Sequence, residues 1–162
     1  MPEPTFIESR QEMEQILREV SFGFLGLAGP DGAYVVPLNH AYADGRILFH
    51  CALEGRKLDC IRAHPAVSYT VARQAGAVQP HPGGDPCHVD SDSVICAGRA
   101  RIVEEPGEKA RLLNEFNRHF RPKAAEIPAE SIRTCAAVEI RLTEMTGRRE
   151  TARQTTFWRW RF

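Results

Sequence analysis

The residues best suited to chemistry lie between Phe49 and Asp59, where a predicted strand is followed within a few residues by a predicted helix. The first turn of a helix presents free backbone N–H groups and the positive end of the helix dipole. Arg56 and Lys57 lie in that turn, where cations are normally disfavoured. An anion docked there would explain them, because Arg binds a phosphate through two hydrogen bonds and Lys adds a compact charge. Gly55 would let the backbone approach such a ligand closely.

Three of these residues also have ordinary explanations. Arg56 and Lys57 could be solvated surface charges, as most adjacent basic residues are. His50, at the end of the preceding predicted strand, could donate a hydrogen bond to a substrate or contact a cofactor. It could equally pack at the strand end with its hydrogen bonds satisfied. The residues alone leave both pairs of alternatives open.

Hydrophobic periodicity indicates the elements that position this segment. A capping box over Ser9–Glu12 and the apolar stripe that follows predict an amphipathic helix. Period-two alternation with turn signals predicts an antiparallel meander, which leaves no room for crossover helices. The predicted elements are helix 9–20, strands 22–28, 33–42 and 47–51, helix 53–64, strands 66–73 and 93–103, helix 106–120 and strand 134–145. Short strands with few helices favour a β-barrel with peripheral helices.

Composition narrows the classes of function. The 162 residues fit one domain, and 43% hydrophobic residues argue against disorder. Lys plus Arg and Asp plus Glu each number 21, and this balance argues against a nucleic-acid partner. No apolar run approaches the ~20 residues of a membrane span, and the first ten residues lack the apolar core of a secretory signal. We therefore expect a cytoplasmic protein without a membrane partner.

The cysteines are odd in number and irregularly spaced. In a reducing compartment, such residues are expected to be small buried hydrophobic side chains and not disulfides. The five cysteines are Cys51, Cys60, Cys87, Cys96 and Cys135.

Four segments in order resemble the FMN-binding split-barrel superfamily that contains pyridoxamine 5'-phosphate oxidase, most closely its nitroimidazole-resistance branch. The segments are Phe49–Asp59, Tyr34–Tyr42 followed by Asp44–Gly45, Ser93–Glu104 and Ala137–Gly147. The resemblance implies a mainly β (α+β) fold, a six-stranded antiparallel split β-barrel with peripheral helices. It also implies one FMN-binding domain over residues 1–162 and a homodimer with two FMN sites at its interface.

The resemblance also implies roles for individual residues. Arg56 and Lys57 would hold the FMN phosphate, and Ser93 would add a hydroxyl near it. The backbone of residues 36–39 would run along the isoalloxazine ring, and residues 50–52 would line the cofactor from the neighbouring strand end. His50 is in addition the predicted catalytic residue, and no metal site is predicted. The predicted cofactor-binding residues are Val36, Pro37, Leu38, Asn39, His50, Cys51, Ala52, Arg56, Lys57 and Ser93.

The activity implied by the resemblance is that of an FMN-dependent oxidoreductase acting on small acceptors, with nitroaromatic compounds as one candidate class. The electron donor would be a nicotinamide or another reductant, and no Gly-x-Gly-x-x-Gly fingerprint specifies which. One alternative is a non-catalytic flavin- or haem-binding protein. Another is an enzyme similar to pyridoxamine-phosphate oxidase.

Two segments depart from the resemblance. Residues 75–92 are rich in Pro and Gly, predict a long loop and are interpreted as a lid over the flavin. A haem or metal site remains a minor alternative there, although the spacing does not match a zinc signature. Its candidate ligands are His81, Cys87 and His88, with His40 or Cys96. The aromatic and basic residues 157–162 would pack across the dimer or over the flavin.

Overall fold

The computed structural model describes residues 5–6, 9–74, 91–128, 131–151 and 154–162. The helices are α1 (Arg10–Glu19), α2 (Arg56–Ala63) and α3 (Pro106–Phe120), with a 3₁₀ turn at Ser131–Arg133. The strands are β1 (Thr5–Phe6), β2 (Phe22–Gly29), β3 (Gly32–Asn39), β4 (Ala41–Ala43), β5 (Arg46–Cys51), β6 (Ala66–Gln74), β7 (Ser91–Val103), β8 (Ala136–Thr151) and β9 (Gln154–Arg161). None of the helices in this described part of the chain has the length and apolarity of a membrane span.

The strands form a split barrel. Hydrogen-bonded neighbours follow the order β3-β2-β6-β7-β8, β5 pairs with β8, and β4 pairs with β5. Because β4 follows β3 after the single residue His40, the sheet returns to the segment where it began without forming one continuous ring. With β3 and β4 counted as one position, the predicted six-stranded split barrel with peripheral helices is confirmed. The pairs within this barrel are antiparallel, and β1 adds a short parallel pair with β9.

The long strand β8 joins three neighbours. One edge pairs with β7 along its length, with a register shift between Ala97 and Gly98. The other edge pairs first with β5 and then with β9. A Cβ at Gly98 would lie 2.6 Å from the carbonyl oxygen of Arg141, so the shift requires a residue without a side chain.

Two apolar clusters hold the barrel and its helices together. The first fills the barrel interior and receives the apolar stripe of α1 and one face of α2. Its largest members include Met13, Leu17, Leu25, Phe49, Leu58, Tyr69, Ile140 and Met145. The second lies on the outer face of β5 and β8, beneath α3. Its members are Ala41, Leu48, Val103, Leu112, Leu113, Ile132 and Ala137.

Several predicted elements are confirmed. Helix α3 spans the predicted residues 106–120, with Pro106 in its first turn and Glu105 accepting hydrogen bonds from two of its N-terminal amides. Helix α1 begins after Ser9, whose hydroxyl accepts a 3.3 Å hydrogen bond from the Glu12 amide, as the capping box predicts.

Other predicted bounds were wrong. Helix α2 begins at Arg56 and not at residue 53, because Gly55 has a φ of 125°, which is not helical. The predicted strand 33–42 is interrupted at His40, and β8 continues to Thr151 instead of ending near residue 145. The C-terminal tail, left without an element, is strand β9. Of the predicted loop 75–92, the last two residues belong to β7, and residues 75–90 lie outside the described ones.

The cysteines partly match the prediction. Cys60 and Cys96 are buried, whereas Cys51 and Cys135 are only half-buried. These four are free thiols, and Cys87 lies outside the described residues.

Candidate functional site

The start of α2 brings two cations to a helix end that no side chain caps in the described part of the protein. Gly55 is the N-cap residue, and its carbonyl oxygen accepts from the amides of Leu58 and Asp59 at 2.9 and 3.2 Å. Arg56 and Lys57 are therefore the first two residues of the helix, closer to its N-terminal end than the predicted start at residue 53 would place them. This end carries positive charge from both the helix dipole and the side chains.

Each of these two cations, which we call the cation pair, lies near an aromatic ring. The Arg56 guanidinium carbon is 4.5 Å from the ring centroid of Tyr34, and the Lys57 ammonium nitrogen is 5.7 Å from that of Phe49. The ion pairs among the described residues all use other cations. Even Asp59, one turn away, pairs with Arg62. The cation pair thus keeps its charge available to an anion.

A second feature, the His50 cleft, lies on the outer face of the barrel where β3 and β5 end. Its volume is about 360 Å³, and its lining residues are Leu38, Asn39, His50, Phe116 and Phe120. The imidazole of His50 is exposed and meets the Phe116 ring edge to face, with centroids 4.9 Å apart. The Phe120 ring stands 4.9 Å from that of Phe116 and extends the aromatic wall. The cleft suits a small planar molecule.

The contribution of α3 to this cleft was missed by the sequence reasoning. Leu112, Leu113, Phe116 and Phe120 are spaced as one apolar side of the predicted helix 106–120, but only the two leucines are buried. Phe116 is half-buried, and Phe120 is 42% exposed. The available signal was their spacing, because residues four apart share a helix face and these two lie one and two turns beyond the buried leucines.

His40, at the break between β3 and β4 and next in sequence to Asn39 of the cleft, is fully buried. One ring nitrogen is 3.0 Å from the carbonyl oxygen of Leu17, which can only accept, so this Nε2 carries the proton. The other, Nδ1, accepts from the Tyr69 hydroxyl at 2.8 Å. Burial lowers the pKa of His40 to about 4, although the bond to Leu17 opposes this. His40 is therefore a neutral structural residue that fixes the strand break.

This geometry excludes two of the candidate ligands for a haem or metal site, His40 and Cys96. Both ring nitrogens of His40 are engaged, and burial raises the pKa of the Cys96 thiol to about 12, so neither is available as a ligand. Their proposed partners His81, Cys87 and His88 lie outside the described residues. Within the described ranges, no group of three or more His, Cys, Asp or Glu could hold a metal ion.

The remaining predicted site residues are distributed around these two features. Pro37 and Ala52 are exposed, whereas Val36 and Cys51 are half-buried against the barrel core. Burial raises the pKa of the Cys51 thiol, while the nearby charge of Lys57 acts in the opposite direction. Ser93 stands apart, on β7, with β6 and β2 between it and β3.

An outer apolar face borders the His50 cleft. Register places Ile95, Thr70, Phe24 and Pro37 in one row across β7, β6, β2 and β3. Phe22, which pairs with Asn39 of the cleft, extends the face toward the site. Its exposed large side chains, each about half-exposed or more, are Phe22, Phe24, Val35 and Ile95. Contiguous exposed apolar surface of this kind is typical of interaction sites.

Comparison with known proteins gives a family model and several solved structures. The model described as pyridoxamine 5'-phosphate oxidase matches residues 9–149. No curated protein matches the chain.

Three similar solved structures come from different bacteria. A protein from Bacteroides thetaiotaomicron, proposed to act in 5-nitroimidazole antibiotic resistance, is 25% identical, with a TM-score of 0.76 over 87% of this chain and 84% of that one. The flavocytochrome Anf3 from Azotobacter vinelandii is 19% identical, with a TM-score of 0.76 over 90% of this chain and 69% of its own. A FAD-binding protein from Mesorhizobium loti is 20% identical, with a TM-score of 0.66 over 88% and 96%. The last two similarities establish the fold alone.

Proposed function

The chain belongs to the pyridoxamine 5'-phosphate oxidase family, and from this premise we propose that it is an oxidoreductase that binds FMN and reduces a small planar acceptor. The observation that carries the proposal is the cation pair, which has no carboxylate partner among the described residues and stands at an uncapped helix start. The flavin-binding and nitroimidazole-resistance descriptions of the similar structures agree with it.

The cation pair fits the phosphate of FMN. Charge-assisted hydrogen bonds from Arg to phosphate are among the strongest in proteins, and the helix dipole adds to them. The approach is open, because a Cβ built on Gly55 would meet no heavy atom within 4 Å. The chain would therefore hold the phosphate with Arg56, Lys57 and the first amides of α2.

The His50 cleft fits the acceptor. Bound FMN supplies the electron transfer, which side chains cannot perform. Phe116 and Phe120 would hold a planar acceptor by stacking, while His50 and the Asn39 amide would donate hydrogen bonds to its oxygen atoms. Negative charge would develop on those oxygens during the reduction, so donors fixed in advance would stabilise that charge in the transition state.

We also propose that the outer apolar face joins two copies of the chain in a homodimer. The face is contiguous with the His50 cleft, and a formal net charge of +0 gives little repulsion between copies. Ser93 lies two residues from Ile95 on the same side of β7, so dimerisation through this face would cover it as well. The Phe24→Glu, Ile95→Glu variant should sediment as a monomer, while Lys123→Glu should remain a dimer.

The cofactor assignment is tested by absorbance and by titration with FMN. The wild type should show twin flavin bands, and Arg56→Ala, Lys57→Ala should bind FMN about a hundredfold more weakly, as expected for two hydrogen bonds to a charged group. Arg62→Ala, on the same helix, is the matched control and should bind normally. A Soret band would favour a haem protein, and a chain that takes up no flavin would contradict the proposal.

The catalytic assignment needs a separate measurement. Reduced flavin should form with NADH or NADPH without oxygen and should be reoxidised by a nitroaromatic acceptor. His50→Ala should lower kcat/KM for the acceptor by roughly a hundredfold, a much larger effect than its effect on FMN affinity, and His64→Ala, an exposed histidine after α2, should match the wild type. Stable flavin binding without turnover would indicate a binding protein, and oxygen consumption with pyridoxamine phosphate would indicate an oxidase.

A further inference from the structure

We propose that Tyr34 is a positioning residue that holds Arg56 for the phosphate and so makes the site distinguish FMN from riboflavin. The inference rests on the proposed FMN binding. Tyr34 is not among the residues expected to touch the cofactor. Its proposed effect is transmitted through Arg56 alone.

The position of Arg56 shows how Tyr34 could restrain it. Its guanidinium lies over the Tyr34 ring at 4.5 Å, and the ion pairs of the described residues do not include it. A guanidinium that rests on an aromatic face keeps its N–H groups free at the edges, whereas a carboxylate partner would occupy them. Tyr34 therefore restrains Arg56 without using the hydrogen bonds that a phosphate needs.

The β2–β3 hairpin fixes where this contact forms. Gly29, near the end of β2, faces α2 so closely that a Cβ there would lie 3.3 Å from the Cys60 sulfur and 3.8 Å from a terminal nitrogen of Arg56. Tyr34 lies on the partner strand of the same hairpin, opposite Leu27. The same hairpin thus contacts the start of α2 and carries the ring beneath Arg56.

Of the two rings beneath the cation pair, Tyr34 is the one that can be substituted to test the cation–π contact. Lys57 lies over Phe49, which is fully buried in the barrel core, so replacing that ring would disturb the fold. Tyr34 is half-buried at the barrel mouth, and its ring can be changed with less effect on the core.

A restrained Arg56 should benefit only a ligand that carries a phosphate. Rotamer freedom that is already restricted before binding does not have to be lost when the phosphate docks. Riboflavin has the same ring system without the phosphate, so its affinity should not depend on Tyr34. A cation–π contact at an exposed site corresponds to about two- to fivefold in an equilibrium constant.

The test is a double-mutant cycle on the full chain, with dissociation constants for FMN and riboflavin from flavin fluorescence. Tyr34→Leu should weaken FMN binding about two- to fivefold and leave riboflavin binding unchanged. Tyr34→Phe, which keeps the aromatic ring, should restore the wild-type ratio. In the Arg56→Ala background, Tyr34→Leu should have no further effect.

Two results would overturn the inference and leave the proposed function intact. One is equal weakening of FMN and riboflavin by Tyr34→Leu, which would mean that the ring contacts the flavin or supports the fold. The other is a full effect of Tyr34→Leu after Arg56 has been removed. Failure of the wild type to bind either flavin would be a different result, because it would reject the FMN proposal itself and this inference with it.

Discussion

The molecule holds its arginines in two contrasting ways, at the Asp92 cluster and at the cation pair. In the Asp92 cluster, a carboxylate that is 2% exposed accepts from Arg73 at 3.0 Å and from Arg149 at 2.7 Å. Each arginine also forms an ion pair with a carboxylate of α1. Arg149 pairs with Glu12 at 3.1 Å, and Arg73 pairs with Glu19. The cluster ties β6, β7, β8 and α1 together. The two side chains of the cation pair, by contrast, contact aromatic rings and form no ion pair with a carboxylate of the described residues.

The difference separates cations that maintain the fold from cations that can bind a ligand. Burial raises the pKa of Asp92, but the hydrogen bonds and charges of Arg149 and Arg73 outweigh burial and hold that pKa below its ordinary value. The charges of the cluster are therefore already compensated. At the start of α2 the positive charge is uncompensated, so substitutions in the two regions should affect different quantities.

The largest effect is expected from Asp92→Asn. This change leaves two arginines facing a buried neutral group, and breaking a buried pair in this way costs about 3–5 kcal/mol. The free energy of unfolding, measured in urea, should fall by that amount, while FMN affinity of the folded protein stays the same. Asp31→Asn, in an exposed turn, is the control and should change stability by less than about 0.5 kcal/mol. Equal stability of the two variants would contradict the claim that the Asp92 cluster maintains the fold.

Acid should weaken the buried regions before it affects the cation pair. The pKa of His40 is about 4 in the folded chain, whereas an unfolded histidine titrates near 6.5. Between these values the unfolded state binds a proton that the folded state does not, so the free energy of unfolding should fall by about 3 kcal/mol as pH drops from 6.5 to 4.

Unfolding curves across this range should show the slope in the wild type and lose it in His40→Gln, which keeps a donor for Leu17. His64→Gln should keep the wild-type slope, since His64 is exposed. Below this window Asp92 acts in the same direction. A carboxyl with a lowered pKa stabilises the fold above its unfolded pKa, and this contribution is lost as pH falls through the folded one.

The smallest effect on stability is expected from Arg56→Ala, Lys57→Ala. The loss of two cation–π contacts is offset by the removal of two cations from the positive end of a helix dipole. The free energy of unfolding without flavin should therefore stay within about 0.5 kcal/mol of the wild type. A loss of several kcal/mol would mean that the cation pair maintains the fold, as the Asp92 cluster does.

Much of the fold could be predicted because its signals are local. Pro106 in the first turn and the apolar spacing behind it give the bounds of α3 directly. The break at His40 could not be predicted in this way, because it depends on Leu17 and Tyr69, which come from a helix and a distant strand. The pairing of β9 with β8 is likewise a tertiary contact that alternation in the tail does not reveal.

In the candidate site too, the part with a local sequence signal could be predicted, and the part that depends on tertiary packing could not. The cation pair was found because a strand end, a glycine and a helix start are contiguous in sequence. The aromatic wall of the His50 cleft was not found, because Phe116 joins His50 only when α3 packs on the outer face of the barrel. Tyr34 was assigned to a strand motif, and its contact with Arg56 depends on how α2 packs against the hairpin.

The double pairing of β8 has a consequence for how the barrel assembles. Strand β5 pairs locally with β4, but its other edge finds a partner only in Ala136–Arg141, far later in the chain. Contacts between such distant segments raise the contact order, and topologies of this kind fold in roughly milliseconds to seconds. Until β8 arrives, the edge of β5 stays open to strands of other molecules. Refolding should therefore be slow and sensitive to protein concentration, with protection of the β5 amides from hydrogen exchange among the last to appear.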